Sequence, residues 1–273
     1  MWLSVTSHGI AVNNPGLNMR IIYDAITVAG KYKDQNQDNI FINGKRKESL
    51  NDEFFLTGET STEYQLFAVG DGMGGAEAGA TASFMLFEKL SHCFRGDRKF
   101  DYTTYINEIN NEIYEYQVNS EVTMGTTLAC VYLEKDRLFA INIGDTRIYL
   151  VQQSDISLVS KDDNEYQLAI DMGIKVHKKE EKKLKCRLTQ YIGLPDEEIG
   201  NEPHILEKKA KIGDQILLCS DGVSSVLSDT QILECVQKCK KEAKNVCRCL
   251  VEEAIKCGSS DNLTVMYLYI EED

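Results

Sequence analysis

Three aspartates stand where an apolar run stops or starts: Asp71 in Asp71-Gly72-Met73-Gly74-Gly75, Asp221 in Asp221-Gly222-Val223, and Asp261 near the end of the chain. Leu66-Phe67-Ala68-Val69 and Ile216-Leu217-Leu218 have the composition and length of buried strands, although periodicity alone does not separate a short apolar run from buried helix. Carboxylates at strand ends, distant in sequence, can converge on hard divalent cations. Were all three to converge, their repulsion would need an offset, and two divalent ions supply it economically. Oxygen donors favour magnesium or manganese over zinc. The glycines after Asp71 let backbone approach a ligand closely, which suits the Gly72 carbonyl as a further metal ligand. Each aspartate taken singly reads as a turn residue or a helix cap. The set of three weakens that reading.

Two more acidic positions belong with them. Asp38 ends the polar run Lys33-Asp34-Gln35-Asn36-Gln37-Asp38, just before Ile40-Phe41-Ile42; it could orient metal-bound waters, and Lys33 could meet a phosphate oxygen as a point charge. The plainer alternative is an Asx-rich surface turn. Asp145, in Gly144-Asp145-Thr146-Arg147, is a further candidate, though Gly-Asp by itself means only a hairpin. The four histidines, His8, His92, His177 and His204, form no Ser-His-Asp pattern, and a Cys-x5-Arg phosphatase loop is absent. Hydrolysis would be left to metal-activated water.

The elements that must position these groups are readable in outline. Residues 1–30 read as two strands broken at Asn13-Asn14-Pro15-Gly16, and 42–62 as an exposed loop before a strand at Gln65–Val69. Helical spacing follows over 76–93 and 102–119, the second with Tyr105, Ile106, Ile109 and Ile113 on one face. Strands are expected at Thr126–Leu133, Arg137–Ile143 and Arg147–Gln152, and again at 214–219. Helices are expected near 229–240 and 242–256, and alternating Leu263, Val265, Tyr267 and Tyr269 make a closing strand. Between 163 and 187, Leu168 to Met172 suits a helix, whereas His177–Lys185 is nearly all charge and reads as a solvated, mobile excursion. Helices arriving in pairs between groups of strands argue for antiparallel sheets covered by helices. A dinucleotide fingerprint and a Gly-Lys-Ser/Thr phosphate loop are both missing.

Bulk properties narrow the class. At 273 residues with 42% hydrophobic content the chain can bury a sizeable core, and one domain over 1–273 is the favoured division. A formal charge of -13 without a basic cluster argues against nucleic acid. Nine cysteines, an odd number, fit reduced thiols in a cytoplasmic setting. Cys235, Cys239, Cys247 and Cys249 lack paired Cys-x-x-Cys knuckles, so small buried side chains explain them better than zinc. No stretch reaches the length of a membrane span.

The motifs together resemble the metal-dependent protein phosphatases of the 2C type, particularly the compact bacterial serine/threonine phosphatases. The likeness runs through Asn36-Gln37-Asp38, Val69-Gly70-Asp71-Gly72-Met73-Gly74-Gly75, Met124-Gly125-Thr126-Thr127, Ile143-Gly144-Asp145-Thr146-Arg147, Lys161-Asp162-Asp163, Leu218-Cys219-Ser220-Asp221-Gly222-Val223-Ser224 and Ser260-Asp261-Asn262-Leu263-Thr264-Val265. Such a resemblance implies an α+β fold, a four-layer αββα sandwich of two central antiparallel β-sheets flanked by helix pairs. It implies two divalent cations, Mn2+ or Mg2+, with Asp71 bridging both and holding the water between them. The Gly72 carbonyl would bind one ion, Asp221 and Asp261 the other, and Asp38 would act through water. Asp145 with Asp221 matches a weaker third ion. Phosphorylated proteins are the implied substrates and a serine/threonine kinase the implied counterpart; a monomer is expected. A noncatalytic domain of the same fold and a metal-binding structural protein are the alternatives.

This chain departs from the pattern twice. Lys33 stands where the family commonly has arginine, reducing a two-pronged phosphate contact to one ammonium. Gly-Asp-Thr-Arg replaces Gly-Asp-Ser-Arg and keeps the hydroxyl. The variable flap corresponds to about 163–190, and its Lys178, Lys179, Lys182, Lys183 and Lys185 are candidates for substrate docking or for a plain solvated surface.

Overall fold

Leu66 and Ala68 enter one hydrophobic layer while Phe67 and Val69 enter another, so this run is apolar throughout because both faces of its strand are covered. The same alternation recurs at Ile216 and Leu218 against Leu217 and Cys219. Strands sharing this pattern must lie inside a stack.

The computed structural model describes residues 19–50, 53–75, 77–195, 202–239 and 245–273. In chain order the first half contains β1 (Met19–Val28), β2 (Asn39–Ile42), β3 (Lys45–Arg46), β4 (Phe54–Thr60), β5 (Tyr64–Gly70), β6 (Gly72–Gly74), α1 (Ala78–Cys93), α2 (Tyr102–Ser120), β7 (Met124–Thr126) and β8 (Leu128–Glu134). The second half contains β9 (Arg137–Ile143), β10 (Arg147–Val151), β11 (Ile156–Leu158), α3 (Glu165–Asp171), α4 (Lys178–Lys185), β12 (His204–Lys209), β13 (Gln215–Cys219), α5 (Asp221–Ser224), α6 (Asp229–Lys238), α7 (Val246–Lys256) and β14 (Leu263–Glu272).

Two six-stranded antiparallel sheets result, ordered β11-β10-β13-β14-β1-β4 and β12-β9-β8-β5-β2-β3. Ile21, Tyr23, Ile40, Phe67, Val131 and Leu268 pack between them. On the outside, α1 and α2 cover one sheet through Leu86, Phe87, Ile109 and Ile113, and α6 and α7 cover the other through Ile232, Val236, Leu250 and Ala254. The order of layers is helix, sheet, sheet, helix. All nine cysteines are free thiols, with Cys235 and Cys247 buried among apolar neighbours in the α6–α7 layer. Among the described residues, no helix is long and apolar enough to cross a membrane.

Three expectations need correction, and two fall partly outside the described residues. Residues 42–62 are not simply loop, because they carry β3 and β4. His177–Lys185 is solvated but helical in α4, where Lys178 and Lys179 open the first turn ahead of Glu180 and Glu181, and Lys182, Lys183 and Lys185 in the last turn complement the C-terminal end of the helix dipole. The single strand expected over Thr126–Leu133 is broken at Thr127 into β7 and β8, and that break serves the site. The turn at 13–16 and the first residues of the helix expected at 242–256 lie outside the described residues.

Candidate metal centre

The antiparallel register brings the ends of β1, β14 and β13 together, and the acidic positions follow. Thr27 pairs with Thr264, and Cys219 with Val265. Asp38 therefore reaches the β14 end from the start of β2, and its Oδ2 lies 2.7 Å from the Thr264 hydroxyl. Asp221 begins α5 directly after Ser220, whose N–H donates to the Thr264 carbonyl at 3.1 Å. Gly222 presses against the next loop so closely that an added Cβ would stand 1.9 Å from the Asn262 carbonyl oxygen. That approach requires glycine, and it sets Asp221 against Asp261.

Asp71 enters from the other sheet, at the end of β5. Its N–H donates to Thr127 Oγ1 at 2.9 Å, and the Thr127 N–H donates back to the Asp71 carbonyl at 2.9 Å. Thr127 Oγ1 also meets Thr146 Oγ1 at 2.6 Å. This explains the interruption between β7 and β8, since Thr127 spends its backbone on Asp71 and joins the Gly-Asp-Gly, Gly-Thr-Thr and Gly-Asp-Thr segments. Gly72 is held against Gln37 and Gly79, whose carbonyl oxygens would lie 2.5 and 2.1 Å from any Cβ placed there.

Asp145 arrives after Gly144, which has φ of +95°. Asp163 braces this turn: its Oδ2 accepts the Gly144 N–H at 2.9 Å, and its Oδ1 pairs with His204 Nε2 at 2.7 Å. Arg147 does not reach the cleft as a phosphate ligand; its Nε and Nη2 donate to the two oxygens of Asp162 at 3.0 and 2.7 Å. The result is a cleft of about 280 Å³ lined by Lys33, Asp71, Gly72, Asp145, Asp221 and Asp261. Asp38 lies fully buried behind it.

Electrostatics in this cleft are unfavourable to a bare protein. Burial, followed by the charges of Asp38, Asp221, Asp145 and Asp261, raises Asp71 well above the ordinary carboxylate range. Burial and then the charge of Asp261 push Asp221 up to about 6. Asp145 is raised well above its usual value by burial and by Asp221, and Asp38 is raised mainly by burial. Asp71 lies within proton-sharing reach of both Asp38 and Asp221. Lys33 Nζ sits 2.7 Å from Asp261 Oδ1; burial lowers its pKa, but Asp261, Asp71 and Asp221 outweigh that and leave it raised.

Asp38 Oδ1 is the telling atom. It is buried with no hydrogen-bond partner, beside the Asp71 carboxyl. Oxygen-only donors, clustered carboxylates and a buried acceptor without a donor fit hard divalent cations. The side chains are not already gathered around one point: among the described residues no three His, Cys, Asp or Glu side chains are grouped as ligands of a single ion, and Asp261 is turned onto Lys33.

Sequence reading passed over the residues that hold this arrangement. Asn262 donates through Nδ2 to the carbonyls of Ala29 and Gln35, both at 2.8 Å, and accepts the Gln37 N–H at 2.9 Å. Thr127, Thr264 and Asn262 all stand inside the quoted motifs, so proximity to the aspartates was the available signal.

Residues 44–263 match the family profile of protein phosphatase 2C. The serine/threonine protein phosphatase PstP of Mycobacterium tuberculosis is 33% identical over 208 residues, a match covering 74% of this chain and 40% of PstP. The chain thus spans well under two thirds of that relative's length. The serine/threonine phosphatase stp of Listeria welshimeri is 27% identical over 221 residues, covering 76% of this chain and 85% of that one. A crystal structure of the PstP catalytic domain in complex with two manganese ions superposes with a TM-score of 0.72 at 27% identity, covering 93% of this chain and all of that one.

Proposed function

The chain belongs to the protein phosphatase 2C family, and from that membership we propose that it hydrolyses phosphoserine and phosphothreonine in proteins at a dinuclear manganese or magnesium centre. The observation that carries this reading is the convergence of Asp38, Asp71, Asp221 and Asp261 from separate elements around one cleft, with Asp38 Oδ1 lacking a donor. Asp71, Asp221, Asp261 and the Gly72 carbonyl would hold the two ions, Asp38 would contribute through water, and Asp145 with Asp221 would hold a weaker third. The residues 1–273 are read as one catalytic domain, acting in the cytoplasm as a monomer opposite a serine/threonine kinase.

Bound divalent ions supply Lewis acidity, making water a nucleophile at neutral pH and neutralising phosphoryl charge. The chain's own residues set the geometry. Asp71 is fixed at both its N–H and its carbonyl by Thr127, so its carboxylate is oriented before substrate arrives. Asp38 is oriented by Thr264. Lys33 is the one basic side chain lining the cleft among the described residues, and its ammonium would leave Asp261 to meet a phosphoryl oxygen. His204 is engaged by Asp163, and among the described residues no histidine lines the cleft to give a proton to the departing seryl or threonyl oxygen. That proton would come from solvent held in the cleft.

The test is phosphate release from a phosphothreonine peptide with manganese and with chelator. Turnover that requires manganese is expected, and a folded, manganese-loaded protein without turnover on any phosphopeptide would overturn the reading. For Lys33→Ala the expected loss in kcat/KM is about tenfold, roughly 1.4 kcal/mol, expressed mainly in KM, with manganese dependence unchanged. Steady-state parameters equal to wild type would remove Lys33 from the phosphate site.

A further inference from the structure

Asn43 and Gly44 both have positive φ, 49° and 95°, the two-residue turn whose twist suits an antiparallel hairpin. It returns β3 along β2, with Phe41 opposite Arg46 and Ile42 opposite Lys45. Arg46 secures the return. Its guanidinium lies 4.6 Å from the Phe84 ring centroid and 3.6 Å from Glu88, and it donates to the Lys47 carbonyl at 3.0 Å. The hairpin carries the next residue, Lys47, inside, where it is 1% exposed.

The Lys47 ammonium reaches main-chain oxygens. Its Nζ donates to the carbonyl oxygens of Asn36 and Asp38, both at 2.7 Å, and its backbone N–H donates to Asn39 Oδ1 at 3.2 Å. A buried ammonium is costly unless its donors are satisfied, and here two of its bonds go to the three-residue stretch that presents Asp38. The other supports of that stretch are side chains: Thr27 takes the Asn36 amide at 2.9 Å, and Thr264 meets Asp38 Oδ2 at 2.7 Å. On the backbone side Asn262 Oδ1 accepts the Gln37 N–H at 2.9 Å and the Ser83 hydroxyl donates to the Gln37 carbonyl at 2.6 Å, and Lys47 takes the carbonyls on either side of Gln37.

We propose that Lys47 is a positioning residue for the metal centre: its buried ammonium clamps the Asn36 and Asp38 carbonyls and so holds the Asp38 carboxylate in the acidic cluster. The proposal rests on the metal-centre reading above. Two roles for this lysine predict opposite signs. As a buried positive charge alone, it repels a divalent cation, and removing it tightens metal binding. As a clamp, its loss lets Asp38 drift and weakens metal binding, as loss of supporting hydrogen bonds does at other metal sites, typically by 10 to 100-fold.

The measurement is Mn2+ affinity by isothermal titration calorimetry without substrate, on wild type, Lys47→Met and Arg46→Met, each checked for folding by circular dichroism. Lys47→Met keeps the volume and removes the donors; an affinity about tenfold weaker is expected. Arg46→Met loosens the same hairpin without touching the ammonium and should stay within about twofold of wild type. Equal or tighter binding by Lys47→Met overturns the clamp while leaving the metal centre standing, as does an equal loss in Arg46→Met. Absence of Mn2+ binding by wild type overturns both. Should Lys47→Met not fold, Lys47→Arg decides, because it keeps the charge and exchanges the compact ammonium for a planar fork: weakened binding supports the clamp and unchanged binding rejects it.

Discussion

Asp71→Asn is expected to lower kcat/KM on a phosphothreonine peptide by at least about 10³-fold at saturating manganese, roughly 4 kcal/mol of transition-state stabilisation, while the protein stays folded. The fold should survive because the Asp71 backbone, and not its carboxylate, makes the two bonds to Thr127. The activity should not survive, because the neutral amide removes the central carboxylate of a cluster that Asp38 and Asp221 adjoin. A second consequence separates this account from general damage. Asp71 is raised by burial and by four like charges, so replacing it should increase the melting temperature in chelator, the opposition between stability and activity expected of a site built around strain. Activity within about tenfold of wild type, or a melting temperature in chelator that falls, would displace Asp71 from the centre.

The candidate aspartates were legible because they stand at the ends of buried strands, most of which announce themselves as apolar runs. Leu66–Val69 is of this kind, while the closing strand was legible through the alternation of Leu263, Val265, Tyr267 and Tyr269. Elements on the rim left no such trace. β12 reads His-Ile-Leu-Glu-Lys-Lys and is mostly exposed at the end of its sheet, where charge protects an unpaired edge and erases alternation. β4 is the end strand of the other sheet, with one face half-buried and the other exposed, and its Thr and Glu residues resemble loop. For α4 the signal was not hydrophobic at all but the lysines of its last turn. The two-residue β3 is too short for any periodicity, yet Asn43-Gly44 carried the turn chemistry that would have revealed it.

Supports were harder to read than ligands for a different reason. Asn262 acts on Ala29, Gln35 and Gln37, more than 220 positions away, and Lys47 reaches backbone atoms, which no side-chain pattern encodes. A lysine amid Lys45, Arg46 and Glu48 looks like surface. Only the hairpin turns it inward.

Acidification should stabilise the protein in chelator, and manganese should stabilise it more at neutral pH than under mild acid. The sign follows from the carboxylates whose folded values lie above the ordinary 3.8: Asp71 and Asp145 well above it, and Asp221 at about 6. Such groups bind more protons folded than unfolded, so stability is greatest below about pH 4 and falls as pH rises, through about 6 for Asp221 and onward for as long as Asp71 and Asp145 keep their protons. For Asp221 alone the loss is about 3 kcal/mol. Asp24, buried and likewise raised, adds in the same direction, whereas Asp101 and Asp171 are lowered but lie at the surface, where such contributions are small. Divalent ions replace the missing protons as counter-charge, so binding must compete with protonation, increasingly so as pH falls through about 6 at Asp221. The expected outcome in thermal melts is a higher midpoint at about pH 5.5 than at about pH 7.5 in chelator, with a larger manganese-induced rise at the higher pH. Asp221→Asn should flatten the chelator profile. A midpoint in chelator that drops on acidification over this window, or a manganese shift independent of pH, would mean that the cluster is neutralised by groups within the protein itself and does not depend on cations for its charge.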